Sequence, residues 1–146
     1  MKQNVSLQIL LDLSAKASDE AALRLGKAMK EHEHALKQLD ILRDYRNTYG
    51  DELQIHTSQG LNILHYHNYQ NFLNNLDKAI HQQLQNIAGK LKLVEFARKD
   101  WQVCEQKRLS FTKLDERQRL AFKIRADKIE QKLNDEFSNR AQQVKL

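Results

Sequence analysis

Along most of this chain apolar residues return at intervals of three and four. Ala22, Leu25, Met29, His32, Leu36 and Leu39 keep the a and d rhythm of a coiled coil. Leu42, Tyr45 and Tyr49 continue it in unequal steps, so the stripe is expected to drift around the helix and leave part of itself facing away from a partner. Ahead of it, Leu7, Ile9, Leu10, Leu11 and Leu13 form a short amphipathic start, and Ser18 with Asp19 and Glu20 reads as an acidic turn or cap. A second series begins at Tyr69, Phe72, Leu73, Leu76 and Ile80 and continues through Leu84, Ile87, Leu91, Val94, Trp101 and Cys104. Beyond it lie Leu109, Phe111, Leu114, Phe122, Ile129, Leu133 and Phe137.

No proline interrupts either series, and the one stretch with turn chemistry is TSQGLNILHYH, residues 57–67, where Gly60 is supported by Ser58 and Asn62. Asn68 reads as the cap of the helix that follows. The prediction is therefore an all-α chain, a long antiparallel two-stranded coiled-coil hairpin. It forms a single domain over residues 1–146, with arm one at about 5–56, a hinge at about 57–67 and arm two at about 68–140. Folding the sequence about Asn62 sets Gly26 near Ala97 and Ala35 near Gly89, so small residues are expected to meet where the backbones approach closely. The end of arm two then overhangs arm one. Its stripe of Phe122, Ile129, Leu133 and Phe137 has no internal partner, and a helix end that lacks packing reads as a binding element.

Composition narrows the chemistry. With 4 glycines, no proline and 40% hydrophobic residues, the chain lacks the turns of a compact bundle. Its single cysteine, Cys104, excludes an internal disulfide, and its place near the seam marks an inert thiol. No apolar run is long enough for a membrane span, and no secretion signal is expected. His56, His65 and His67 cluster in sequence, as do His32 and His34, but i, i+2 spacing on a helix turns side chains apart, so no metal site is expected. A two-helix hairpin offers no enclosed site for an acid and a base around a substrate, so neither catalysis nor a cofactor is expected. The net charge of +5 is concentrated late, since residues 101–146 carry 11 basic against 7 acidic groups. The cations at Lys107, Arg108, Lys113, Arg117, Arg119, Lys123 and Arg125 are interleaved with acids and come without a base-reading motif, which argues against nucleic acid. Protein binding remains. Leu42, Tyr45 and Tyr49 fall close to Phe72, Leu76 and Ala79 in the folded hairpin, either as an aromatic anchor for a partner or as a seal for the hinge end.

These tyrosines lie in QLDILRDYRNTYGDEL, residues 38–53, which together with NYQNFLNNLDKAIHQQ, residues 68–83, resembles the FliJ family of the bacterial flagellar protein export apparatus. Weaker similarity around Leu11 to Gly26, Lys99 to Trp101 and DEFSNRAQ at 135–142 extends the resemblance over nearly the whole chain. The resemblance implies a hairpin similar to the central stalk of rotary ATPases. Its open end would enter the hexameric ring of the export ATPase FliI and promote ring assembly, a role set here on Leu11, Leu13, Phe122, Arg125, Ile129, Leu133 and Phe137. It further implies a surface for the cytoplasmic domain of the export gate FlhA, made of Gln38, Leu42, Tyr45, Tyr49, Phe72, Leu76 and Ala79. The last member of that set, often histidine in the family, is Gln83 here. Dealings with export chaperones are implied too, at a cytoplasmic location against the inner face of the membrane at the flagellar base. The equivalent stalk of a virulence type III system and a generic coiled-coil scaffold are the alternatives.

Overall fold

A computed structural model describes residues 5–144. Helix α1 runs Val5–Ser58 and helix α2 runs Ile63–Val144. They form an all-α antiparallel hairpin with no strand among the described residues. Both helices run on because the sequence supplies no breaker: Ser14, Thr57, Ser58, Ser110 and Thr112 all turn their hydroxyls back onto carbonyls three or four residues earlier. The expected turn at Ser18 to Glu20 is ordinary helix.

The reversal takes four residues, 59–62, rather than the eleven of the expected hinge. Gly60 adopts φ +85°, a conformation open to glycine at little cost. Around it, Leu61 N–H donates to the His56 carbonyl at 3.1 Å and Gly60 N–H to Thr57 at 3.3 Å, the paired bonds of a Schellman ending. Asn62 then accepts from Leu64 N–H through its side chain at 3.3 Å and caps α2. Asn68, expected to do this, lies inside α2, because the Schellman turn is complete by Leu61 and the next helix starts two residues later.

The chain divides into two packed units. One comprises α1 up to Ser18 with α2 from Val103 onward, and the other comprises Asp19–Gln102. Within the second unit, burial follows an unbroken heptad. In α1 the heptad covers a at Leu25, His32, Leu39, Arg46 and Leu53, and d at Ala21, Ala28, Ala35, Leu42, Tyr49 and His56, with Gly26, Glu31, Gly50 and Glu52 half-buried beside them. In α2 it covers a at Leu73, Ile80, Ile87, Val94 and Trp101, and d at Tyr69, Leu76, Gln83, Lys90 and Ala97, with Gln70 and Ala79 half-buried beside them. The stripe therefore does not drift. Ala22, Met29 and Leu36, read as seam from the sequence, are exposed, because Ala21, Ala28 and Ala35 one position earlier hold the seam instead, and Tyr45 is exposed beside Arg46, which takes the a position.

The other unit keeps the same spacing with more polar residues. Leu7, Leu11, Ser14 and Ser18 are covered on α1, with Cys104, Arg108, Phe111 and Asp115 on α2. Ser18 donates at 2.6 Å to Glu105, which also binds Arg108. The paired small residues did not materialise. A Cβ at Gly26 or Gly89 would meet nothing within 4 Å, and the Ala35 carbonyl receives Gln83, not Gly89.

Candidate protein-docking face

In an antiparallel pair the g positions sit beside d on one side of the seam and the e positions beside a on the other. Contacts in the Asp19–Gln102 unit follow this rule. On the d/g side Gln83 donates to Gln38 at 3.3 Å, Lys90 pairs with Glu31 at 3.5 Å, and Tyr49 meets Phe72. On the a/e side Arg46 pairs with Asp77 at 3.1 Å.

Set on this frame, the candidate gate-binding residues share one side. Leu42, Tyr49 and Leu76 occupy d positions and are half-buried. Gln38, Tyr45, Phe72 and Ala79 occupy g positions; Tyr45 is 54% exposed and Phe72 42%. The d residues hold the seam with their inner atoms, Gln38, Tyr45 and Phe72 present theirs to water, and Ala79 is half-buried between. Tyr49 and Phe72 lock together edge to face, with ring centroids 4.6 Å apart. His56 and Tyr69 follow one layer closer to the turn, at 5.8 Å. An open cleft of about 300 Å³ is lined by Tyr49, Asn68, Tyr69 and Phe72. Asn68 is the lining residue that the sequence reading put to another use, and the signal for it was its place one residue before the d position Tyr69. Gln83 keeps to the same side, where its amide bridges Gln38 and the Ala35 carbonyl at 2.8 Å.

The candidate ring-binding residues are divided. Leu11 is half-buried in the seam and Leu13 is 59% exposed on α1. Every described residue from Glu116 to Val144 is exposed, Phe122, Arg125, Ile129, Leu133 and Phe137 included. The structure therefore keeps these last five on one uncovered helical stretch and does not gather Leu11 into it.

Electrostatics stand out at one carboxylate, outside both sets. Glu105 is lowered from its ordinary 4.5 to about 2, mainly by the Arg108 hydrogen bond and then by that from Ser18. No cluster of three or more potential metal ligands occurs among the described residues, and none of the described helices is long and apolar enough to cross a membrane.

A hairpin with aromatic side chains on one side is a general shape, and comparison with known proteins makes it particular. The family model described as flagellar FliJ protein matches residues 2–146. The chain belongs to this flagellar FliJ family. Similar relatives are the flagellar FliJ proteins of Salmonella typhi and of Escherichia coli K12, each 33% identical over 141 residues, which cover 97% of this chain and 96% of theirs. The FliJ match thus takes in both helices and the turn between them, and both candidate surfaces fall inside it.

Proposed function

We propose that this chain, as a FliJ-family component of the flagellar export apparatus, serves as its stalk, with separate surfaces for two partners. The d/g side with Gln38, Leu42, Tyr45, Tyr49, Phe72, Leu76 and Ala79 docks on the cytoplasmic domain of the export gate FlhA. The uncovered helix with Phe122, Arg125, Ile129, Leu133 and Phe137, aided by Leu11 and Leu13 of α1, engages the ring of the export ATPase FliI and promotes its assembly. Linking the two couples the ATPase to the gate and assists export, with export chaperones as further partners. The work is done from the cytoplasmic side of the membrane, without catalysis by this chain.

One observation carries the reading. Seven residues from two segments some 30 positions apart fall on the same side of one seam, centred on the Tyr49 and Phe72 rings. Half-exposed aromatic side chains that already pack on one another make good anchors, since less freedom is lost when a partner covers them.

The test is titration of the FlhA cytoplasmic domain with the full chain and with Tyr45→Ala and Phe72→Ala variants. Each substitution is expected to weaken binding by roughly tenfold or more while helical content is retained. Wild-type affinity in both variants would remove the gate from this side of the hairpin.

A further inference from the structure

The opposite side of the seam also shows apolar surface. At the e positions of the Asp19–Gln102 unit, Met29 is 47% exposed, Leu36 40%, Leu84 42% and Leu91 44%. In the antiparallel register these four e positions face one another across the pair, so they form one patch on the a/e side, away from Tyr45 and Phe72. Charged e residues, Arg43 and Arg98, bound its ends. Its α1 edge is the row one position past a: Asp19, Gly26, Glu33 and Asp40. That edge is acidic, and it is low at Gly26, a half-buried glycine whose missing side chain no atom of this chain requires. Among the described residues Glu33 is engaged by an exposed Lys37 at 3.6 Å, a contact worth little in water.

A helix that fits such a patch needs an apolar stripe with cations along one border. The exposed end of α2 has that form. Phe122, Ile129, Leu133 and Phe137, 52% to 76% exposed, fall on one face at 3.6 residues per turn. Arg117, Arg125, Lys128 and Lys132 fall along one border of that face and outnumber Asp135 and Glu136 there, while Glu116, Asp127 and Glu130 lie toward the other border with Arg119 and Lys123.

We propose that the patch of Met29, Leu36, Leu84 and Leu91 receives the uncovered helix 116–144 of a second copy of this chain. The basic border lies against Asp19, Glu33 and Asp40, and the two copies exchange helices reciprocally. Each copy then covers apolar surface that the other exposes. The same helix is the one assigned above to the ATPase ring, so pairing and ring binding exclude each other at this helix, but the pairing does not depend on the ring reading being right.

Sedimentation of the full chain over a concentration series tests this. The wild type is expected to shift from one copy to two, and less so at high salt. A patch variant, Leu36→Glu with Leu84→Glu, and a stripe variant, Ile129→Glu with Leu133→Glu, should each weaken pairing by roughly tenfold or more, because a carboxylate would be buried without a partner. All four positions are exposed, so both variants should keep wild-type helical content by circular dichroism. Mixing the two variants should recover pairing, since the mixture contains one intact patch and one intact stripe. A wild type that stays a single copy throughout, a variant that pairs like the wild type, or a mixture that recovers nothing would overturn the proposal.

Discussion

Gly26 and Gly89 sit inside helices with open space where a side chain would begin. Glycine within a helix costs roughly 0.5–1 kcal/mol relative to alanine, and no close approach within this chain offsets that here. Gly26→Ala and Gly89→Ala are each expected to stabilise the chain by about that amount, read as a raised urea midpoint with an unchanged slope. Sequence reasoning expected contact at both positions because it matched small residues by number alone. One residue of register turns a helical side chain by about 100°, enough to move a glycine off the seam. Glu105 is another matter of single atoms. Its carboxyl is held at about 2 against an ordinary 4.5 by Arg108 and Ser18, so its stabilising share is present above 4.5 and is lost as pH falls from there toward 2. Glu105→Gln should lower stability at neutral pH and flatten the acid limb of the stability profile in that window, as followed by urea unfolding at a series of pH values.

At the level of the helix, the period was legible and its phase was not. Ala21, Ala28 and Ala35 carry d positions, while Met29 and Leu36 beside them are exposed. A reading that ranks side chains by size puts the seam one residue late and then has to let it drift to reach Leu42 and Tyr49. The second helix was read more nearly in phase, because Leu73, Leu76, Ile80, Ile87, Val94 and Trp101 are themselves large. The turn was recognised from Gly60 and Asn62, but its length was overestimated because His65, Tyr66 and His67 carry no seam residue and so look like loop. If alanine at d sets how closely the helices approach, enlarging it must push them apart. Ala21 is 0% exposed, and Ala21→Leu is expected to destabilise by about 1–3 kcal/mol, measured by chemical unfolding. A shift of less than a few tenths would mean that the seam has room to spare there.

For the molecule as a whole, the hairpin and the family could be read from the sequence, and so could an end of α2 without a packing partner. The side of the seam on which the candidate gate residues fall could not, since only an established register says which of Leu42, Tyr45 and Tyr49 face inward. Glu116 to Val144 contribute no covered residue to either seam. Removing residues after 115 should therefore leave the thermal midpoint within a few degrees of the wild type, because long helices owe most of their stability to packed faces. The same truncation should abolish stimulation of the export ATPase and preserve binding to the gate domain. Loss of both activities together would refute the division of labour between the two surfaces.

Among the described residues no side chain larger than alanine is wholly shut off from water. Cohesion is consequently shared in thin portions among many successive layers, with no keystone whose loss brings down the rest. Such an arrangement lets lineages exchange one layer at a time, so that a protein can diverge at two positions in three and still close on itself in the same way.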